Sequence, residues 1–369
     1  MRKCKLSECV KEINDRTIEN NQYEVLTSSK NGIFSQEEYF DKQVASKDNT
    51  GYKIIKNGQF TYRSMSDSGT FTINRLEDKN IGIVSPAYPV FEATNVDAEF
   101  LKYYFKSELF NKAIINLSQG STRTALKYKD LIDIEIYLPE IEEQKRIVKI
   151  LKNSDQIIEK YDELIKEKEQ FIKSQFVEMF SMNNFSKKRM DEVAVLKSGT
   201  TFLKEQELEE GELLYCKISD MNLEGNEKYI ITSKTYVSKE IGRKASIPAN
   251  SVIFPKRGGA IGTNKKRILL ENTCVDLNIM GVTPKNLINI QYLYYYFINT
   301  DLAKICDGST IPQLNNKNIG PLEISVPPIT LQKRFETIVQ LIDKQKFNYI
   351  NKVKLLKEII NIFLGGKKI

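Results

Sequence analysis

At 369 residues the chain is long enough for two or three domains, each able to bury its own core. Its net charge of +7, from 55 basic and 48 acidic residues, permits a polyanionic partner such as nucleic acid without requiring one. The chain has no histidine, and its five cysteines form no Cys-x-x-Cys pair. These absences remove the commonest general base and the commonest metal ligands, so we expect no catalytic residue, no metal site and no cofactor.

The distribution of apolar residues argues against a membrane protein. No apolar run approaches the roughly 20 residues that span a bilayer. The opening Met1-Arg2-Lys3 leads into no signal-peptide core. An odd number of scattered cysteines favours reduced thiols. We therefore expect a cytoplasmic protein.

Residues 1–140 are predicted to form a first globular block, rich in short strands. Residues 6–13 form a short amphipathic opening, and residues 51–63 predict two strands joined by a tight turn at Asn57-Gly58. Further strands are predicted at residues 71–73 and 81–84. From residue 97 to about 117 the apolar spacing becomes helical and predicts one helix.

Residues 183–328 repeat this order of elements and predict a second block. The run Val252-Ile253-Phe254 stands 192 positions after Phe60-Thr61-Tyr62. The aromatic run at residues 292–297 stands 192 positions after the one at residues 100–105. Between these anchors the two blocks share almost nothing, which is typical of two recognition domains for different targets.

An exact internal match closes each block. Twelve residues within the window 120–146 recur 188 positions later without a gap. They are Gly120, Ser121, Thr122, Leu126, Lys129, Glu135, Ile136, Pro139, Ile141, Gln144, Lys145 and Arg146. So many identities in one register indicate a tandem duplication.

A long helix is predicted behind each block, over residues 141–182 and 329–369. Apolar doublets recur every seven residues in the first, beginning with Ile150-Leu151, and the second keeps the same period. About 38 helical residues make a rod of roughly 55–60 Å. Each rod leaves an apolar stripe exposed, so we expect the two to pair as an antiparallel coiled coil. The predicted class is α+β: two β-rich domains with flanking helices, separated by two paired long helices, in an internal pseudo-two-fold repeat.

These motifs resemble the DNA-specificity subunit of type I restriction-modification systems. The resemblance rests on the strand at residues 134–139, ending in Leu138-Pro139, and on Glu143-Gln144-Lys145-Arg146-Ile147 at the start of a long helix. It covers both copies, although Leu331 and Phe335 replace the Glu and the final Ile in the second. It implies that each block is a target recognition domain for one half-site of double-stranded DNA. It also implies a non-catalytic scaffold for two methyltransferase subunits, and for restriction motor subunits in a complete system.

Candidate DNA contacts are basic and hydroxyl side chains on loops that follow strands. The loop 62–64 is the first choice in block one, with residues 28–31 second; in block two Lys256 and Arg257 stand at the corresponding place. The candidates are Lys30, Tyr62, Arg63, Ser64, Arg123, Lys256, Arg257, Lys265, Lys266 and Arg267. The alternative for each is a solvated surface loop without DNA contact.

Two further motifs have structural alternatives. The Gly-Ser-Thr sequences at 120–122 and 308–310 could bind a phosphate through backbone N–H groups, but retention in both copies favours a turn of the shared frame. The Tyr/Phe runs near residues 103 and 294 could stack on bases, although their helical spacing favours a core.

Two other functions remain open at this point. A coiled-coil adaptor without a DNA role would explain the rods but not two duplicated, divergent blocks. A self-contained DNA methyltransferase would need a methyl-donor loop with an Asn/Asp-Pro-Pro-aromatic or Pro-Cys motif, and we find neither motif. A metal-dependent nuclease would need clustered carboxylates beside a lysine, and Glu-x-Lys occurs here mostly in the charged helix.

Overall fold

The computed structural model describes residues 2–39, 47–66, 70–117, 124–181, 184–306 and 311–365. Runs of short strands are followed by helices, and most of the described strand pairs are antiparallel, which confirms the α+β class. The chain divides into two compact units: unit 1 takes in residues 1–162 and 349–369, and unit 2 takes in residues 163–348.

Unit 1 contains a four-stranded sheet and four strand pairs. Its strands are β1 (Arg2–Lys5), β2 (Val10–Ile13), β3 (Leu26–Ser29), β4 (Gly32–Ser35), β5 (Lys53–Lys56), β6 (Phe60–Thr61), β7 (Met65–Ser66), β8 (Asn74–Arg75), β9 (Ile81–Val84), β10 (Val90–Ala93), β11 (Thr124–Ala125) and β12 (Glu135–Leu138). Its helices are α1 (Gln36–Tyr39), α2 (Ala98–Phe105), α3 (Glu108–Leu117), α4 (Tyr128–Ile132) and the start of α5 (Ile141–Phe180). The large sheet has the order β2-β10-β6-β8, and β1-β12, β3-β4, β5-β9 and β7-β11 form the pairs.

Several predictions for this region need correction. The amphipathic opening at residues 6–13 consists of a 3-10 turn at Leu6–Glu8 followed by strand β2. The strands on either side of Asn57-Gly58 exist, but β5 pairs with β9 and β6 with β10 and β8, so they belong to different sheets. The strand at β9 is confirmed, whereas residues 71–73 form none.

The predicted helix over residues 97–117 is two helices, α2 and α3. The Ser107 hydroxyl donates to the Tyr104 carbonyl at 2.7 Å and accepts from the Phe110 N–H at 3.2 Å. This serine therefore closes the first helix and caps the second.

The core of unit 1 is aromatic. Phe60 on β6 stacks on Phe91 of β10 at 5.6 Å, and Phe105 of α2 meets both rings edge-on. Each such pair contributes about 0.5–1.5 kcal/mol beyond the area it buries. This cluster fastens α2 to the four-stranded sheet.

Unit 2 contains a five-stranded and a three-stranded sheet. Its strands are β13 (Lys187–Arg189), β14 (Ala194–Ser198), β15 (Leu213–Cys216), β16 (Tyr229–Ile230), β17 (Tyr236–Val237), β18 (Val252–Pro255), β19 (Arg267–Leu269), β20 (Cys274–Val275), β21 (Ile279–Pro284) and β22 (Glu323–Ser325). Its helices are α6 (Met190–Val193), α7 (Lys239–Gly242), α8 (Ile290–Ile298), α9 (Asn316–Ile319) and most of α10 (Ile329–Gly365). The sheets have the orders β14-β21-β18-β19-β16 and β17-β15-β20, and β13 pairs with β22.

The two long helices pair antiparallel within each unit. In unit 2 Glu169 of α5 binds Lys346 of α10 at 2.6 Å, and Phe176 further along α5 meets Phe335 at an earlier position on α10. In unit 1 the rings of Tyr161 and Tyr349 stack at 5.2 Å. The predicted coiled coil is thus confirmed in direction within each unit.

Only one residue of several predicted apolar doublets is buried. Leu151 and Ile172 are fully buried, whereas the preceding Ile150 and Phe171 are 40% and 49% exposed. The paired helices therefore keep an apolar surface open. Within the described part of the chain no helix is long and apolar enough to cross a membrane.

A set of contacts recurs at equivalent positions of both units, and we call this set the frame. The N–H of Leu6 donates to the Ile134 carbonyl at 2.9 Å, and the equivalent Met190 N–H donates to Leu322 at 2.8 Å. An ion pair then joins the first strand to the last in each unit: Lys3 with Glu135 at 2.7 Å in unit 1, and Lys187 with Glu323 at 3.2 Å in unit 2.

A buried glutamine locks each frame to its long helix. Gln144 donates to the Pro139 carbonyl and accepts from the Asp97 N–H, both at 2.8 Å. Its equivalent Gln332 donates to Pro327 and Leu287 and accepts from the Asn289 N–H at 2.8 Å. Asp97 and Asn289 are the residues that cap α2 and α8. The glutamine of the repeated Gln-Lys-Arg motif therefore ties three elements together.

Candidate nucleic-acid interface

Tyr62, one of the predicted contacts, is a core residue. Its side chain is fully buried and its hydroxyl donates to the Leu126 carbonyl at 3.1 Å. Burial raises the pKa of Tyr62 well above its usual value. Strand β6 is covered on both faces, so the residue after it still points inward, and the prediction that Tyr62 contacts DNA is wrong.

The next residue, Arg63, opens onto a cleft in unit 1. The cleft has a volume of about 540 Å³. Its described lining is Ser28, Ser29, Lys30, Asn31, Tyr39, Arg63, Met65, Ser66, Thr70, Phe71 and Thr72. The two loops singled out from the sequence, at residues 28–31 and 62–64, therefore meet in one concave surface.

The lining of this cleft has the composition of a nucleic-acid contact surface. Lys30 and Arg63 are exposed and are its two charged groups among the residues described, with no carboxylate beside them. Hydroxyl and amide groups supply the rest of its polar surface. Cations attract phosphates, and Ser, Thr and Asn side chains can bond to base edges.

Two other predicted contacts of unit 1 lie beside the cleft in sequence. Ser64 is half-buried, and its carbonyl accepts from the Leu126 N–H at 2.9 Å. Arg123 lies outside the described residues, as do both Gly-Ser-Thr sequences at 120–122 and 308–310.

The corresponding position in unit 2 is marked by the same hydrogen bond. The Leu314 N–H donates to the Lys256 carbonyl at 2.8 Å, just as Leu126 does to Ser64. Lys256 is therefore the structural equivalent of Ser64, and Arg257 that of Met65. The two spacings of the repeat agree with this, since Ser64 and Lys256 lie 192 positions apart and Leu126 and Leu314 lie 188 positions apart.

Lys256 and Arg257 differ in how freely they face solvent. Lys256 is half-buried, and its Nζ donates to the Ser198 hydroxyl at 2.9 Å. Burial, together with the neighbouring Arg257, lowers the pKa of Lys256. Arg257 is exposed. Arg257 is thus the freer cation of this surface.

A glycine-rich 3-10 segment, Gly258–Thr263, follows directly. Gly258 has a φ of +67°, a conformation that favours glycine. No atom lies within 4 Å of where a Cβ would be at Gly258, Gly259 or Gly262. The backbone here is open to close approach by a partner.

The basic run at residues 265–267 is mainly structural. Lys266 is 1% exposed, and its Nζ donates to the Thr300 carbonyl at 2.9 Å and to the Asn264 side chain. Burial lowers the pKa of Lys266 to about 8. Arg267 donates to the carbonyls of Lys266 and Met221, both at 2.8 Å. The prediction for Lys266 is therefore wrong, because its buried ammonium holds a loop of its own unit. Arg267 is half-buried and stays a prediction.

Lys265 is half-buried, with its Nζ bonded to the Asn222 side chain. It stays a prediction, as do Lys30, Arg63, Ser64, Lys256 and Arg257. Tyr39 and residues 70–72 also line the cleft, although neither was among the predicted contacts and residues 71–73 were predicted to form a strand. The sequence shows that Gln144 and Gln332 are repeated but gives no sign of their role.

The aromatic runs belong to the interior of each unit. Tyr292, Leu293 and Phe297 are at most 2% exposed. Burial raises the pKa of Tyr104 to about 12. These rings support α2 and α8 rather than presenting a platform for bases. Among the residues described, no cluster of three or more Cys, Asp or Glu side chains could hold a metal ion.

Comparison with known families decides what this duplicated frame is. The sequence model of the type I restriction modification DNA specificity domain matches residues 8–170 and again residues 182–361. The chain belongs to this family. Family membership assigns it the specificity role, DNA recognition, rather than a catalytic one.

Two relatives illustrate how far this specificity family has diverged. The MjaIX specificity subunit of Methanocaldococcus jannaschii is 23% identical over 301 residues, covering 73% of this chain and 68% of the relative. The putative specificity subunit S.HindORF215P of Haemophilus influenzae is 27% identical over 266 residues, covering 66% of this chain and 63% of the relative. The second match therefore spans less than two thirds of that protein.

Solved structures share the fold over nearly the whole length. A chain from a type I R-M system, solved in a study of complex assembly and conformational transition, superposes with a TM-score of 0.64 at 16% identity, covering 99% of this chain and 96% of that one. The type I S subunit of M. genitalium gives 0.54 at 18% identity, covering 98% and 94%. At these identities the likeness concerns the fold alone.

Proposed function

We propose that this specificity protein recognises two different half-sites of double-stranded DNA, one with each unit. The target recognition domains are residues 1–140 and 183–328, and the spacer helices are residues 141–182 and 329–369. The observation that carries the proposal is that one hydrogen-bonded frame presents different side chains at the equivalent places, Ser64-Met65 in unit 1 and Lys256-Arg257 in unit 2.

The contacts in unit 1 come from its cleft. Arg63 and Lys30 approach the DNA from two loops, while Asn31 and the hydroxyls of the lining bond to base edges or sugars. Because this lining has two cations and no described carboxylate, a phosphate backbone is attracted to it.

In unit 2 the contacts come from Arg257, Lys256 and the open glycine backbone of Gly258–Thr263. An arginine that follows a strand can bond bidentately to a guanine edge. The absence of side chains at the glycines lets the backbone come close to the sugar-phosphate chain.

Paired arginine substitutions test this assignment. Arg63→Ala should weaken binding about 10–100-fold at the first half-site only, and Arg257→Ala should do so at the second only. The measurement is a salt-controlled gel shift on duplexes in which one or the other half-site, found by methylation mapping with and without this chain, is scrambled. Lys112→Ala and Arg243→Ala are matched controls, since each removes an exposed cation elsewhere in the same unit. If substitution of either arginine weakened binding equally at both half-sites, that arginine would be a general phosphate contact.

We further propose that the chain positions two methyltransferase subunits, and restriction motor subunits where a complete system is present, on this bipartite site in the cytoplasm. Exposed residues that both copies retain support a common docking surface. Ile141 and Ile329 are 43% and 40% exposed at the start of α5 and α10, and Lys145 and Lys333 lie one turn further on. Core packing does not explain an exposed isoleucine kept twice.

Counting bound subunits tests this docking surface. Ile141→Asp or Ile329→Asp should each reduce the complex from two methyltransferase subunits to one, as measured by native mass spectrometry of the co-expressed assembly. Ile231→Asp, at a 55% exposed position outside the repeated segment, should leave two. Two subunits retained by both test variants would rule out this surface.

Binding of adenosylmethionine by the isolated chain would contradict its scaffold role.

A further inference from the structure

Both long helices carry an aspartate at the same point of the repeat. Asp155 lies on α5, and Asp343 lies 188 positions later on α10. In unit 1 the Tyr103 hydroxyl of α2 donates to Asp155 Oδ2 at 2.6 Å. Each aspartate accepts hydrogen bonds from the rest of its own unit, but the donors differ.

In unit 2 a lysine and a tyrosine from a different element bind the aspartate. Lys228 Nζ lies 2.6 Å from Asp343 Oδ2, and the Tyr229 hydroxyl donates to the same oxygen at 3.2 Å. The Lys228 ammonium also lies 5.4 Å and 5.3 Å from the ring centres of Tyr294 and Tyr295. Tyr295 is the equivalent of Tyr103, 192 positions on, so the lysine is inserted between the equivalent tyrosine and the equivalent aspartate.

This contact is largely removed from water. The Lys228 and Asp343 side chains are 14% and 21% exposed. Burial lowers the pKa of Lys228, and Asp343 opposes that shift. A buried cation with an anion and aromatic faces around it has one well-defined position, since moving it away leaves both charges unpaired.

The lysine is joined directly to the strands that carry the proposed DNA contacts. The Ile268 N–H donates to the Lys228 carbonyl at 2.8 Å, and Ile268 of β19 pairs with Val252 of β18. Strand β18 leads at once into Lys256 and Arg257. One side-chain ion pair and two backbone contacts therefore connect Asp343 on the long helix with the recognition surface of unit 2.

We infer that Lys228 and Asp343 are positioning residues that fix the recognition surface of unit 2 on its spacer helix, and with it the length of unread DNA that the protein accepts. The inference rests on the proposed function. A recognition surface free to pivot on the helix can reach half-sites at more than one separation, whereas an anchored one cannot.

The test compares duplexes whose unread spacer is cognate, one base pair shorter or one base pair longer. The wild-type chain, with its methyltransferase subunits, should prefer the cognate spacer. Lys228→Met should reduce that preference at least fivefold, while binding to an isolated second half-site changes less than threefold. Asp343→Asn, which keeps an oxygen acceptor for Lys228 and Tyr229, should reduce it by a smaller factor.

Lys346→Met is the matched control, because it breaks an ion pair between the two helices of unit 2 without touching the sheet. It should keep the wild-type spacer preference. An unchanged preference in Lys228→Met, with only a lower Tm, would make the pair merely structural and overturn the inference. If Lys228→Met does not fold, the same comparison on Asp343→Asn decides. A wild-type protein without a bipartite site would instead contradict the proposed function.

Discussion

The two units share the backbone hydrogen bonds of their frame and differ in most of the side chains that stand at equivalent outward positions. Leu126 with Ser64 and Leu314 with Lys256 make the same backbone bond, yet a serine stands in one unit where the other has a lysine. Backbone bonds do not depend on the side chain attached, so outward positions can change while the fold stays constant. Duplication followed by change at such positions yields two recognition surfaces from one architecture.

The side chains that stay identical act inside the frame or face solvent without a described structural role. Gln144 and Gln332 belong to the first kind, because a side-chain amide that bonds several backbone groups cannot be exchanged for a residue of different shape. Ile141 and Ile329 belong to the second kind.

The largest expected effect on stability comes from removing the buried glutamine side chain that joins each frame to its long helix. Gln144→Ala and Gln332→Ala should each lower the free energy of unfolding of their own unit by about 2–4 kcal/mol, because buried backbone groups lose their partners. Gln332 makes one more hydrogen bond than Gln144, to the Leu287 carbonyl, so its loss should cost more. Native-state hydrogen exchange, which resolves the two units, is the measurement.

Glu143→Ala serves as the control for that experiment, since this neighbour of Gln144 is exposed on α5. It should change the stability by less than about 0.5 kcal/mol. Equal, small effects of all three substitutions would show that the frame does not depend on its repeated glutamine.

A second comparison concerns one core position with different residues in the two units. By strand pairing, Lys266 of unit 2 is the equivalent of Ile73, which is buried in unit 1. The folded pKa of Lys266 is about 8, below its ordinary value of about 10.4. Between pH 8 and 10.4 the unfolded chain therefore binds more protons, and stability from this group rises with pH.

Lys266→Met removes this titration while keeping an apolar chain of similar length. The difference in unfolding free energy, wild type minus variant, should grow by about 3 kcal/mol from pH 7 to pH 10.5. Urea unfolding of both proteins across that range measures it, and the tyrosines, which titrate at high pH in both, cancel in the difference. A constant difference would mean that the folded chain holds this proton as tightly as the unfolded chain does, with the lysine charged and solvated in both.

The long-range order of the chain was predictable because the duplication repeats strong local signals. A heptad over about 38 residues and a proline before each helix leave little choice of structure. The break between α2 and α3 was predictable too, since Ser107 precedes Glu108 in the manner of a helix cap, although it was overlooked. The pairing of β5 with β9 was not, because a tight turn between two strands does not reveal that they enter different sheets.

The loops that carry the candidate site could be predicted from the sequence, but the directions of their side chains could not. Residues 28–31 and Arg63, which the sequence offers as two separate candidate loops, line one cleft, whereas Tyr62 and Lys266 point inward. A strand covered on both faces lacks the alternation that would reveal its inward side chains. A run of three basic residues likewise carries no local sign of which one the neighbouring strands will bury.

The smallest expected effect is the coupling energy between two stacked tyrosines, one on each long helix. Tyr161 of α5 and Tyr349 of α10 are equivalent residues of the repeat, 188 positions apart, and they face each other within unit 1. Their rings stack at 5.2 Å with an interplanar angle of 26°, and Lys352 Nζ lies 5.7 Å from the centre of the Tyr161 ring. We expect a coupling energy of about 1 kcal/mol from this stack.

A double-mutant cycle with Tyr161→Leu and Tyr349→Leu, followed by urea unfolding, measures that coupling. Tyr137→Leu, at a 52% exposed position on β12, should combine additively with Tyr349→Leu and so calibrates the cycle. A coupling indistinguishable from the calibration would mean that the stacked pair is a consequence of the repeat rather than a contact that holds the helices in register. A clear coupling would show that this pair helps to set the register of the two helices in unit 1, because a shift of either helix by one turn separates the two rings by about 5.4 Å.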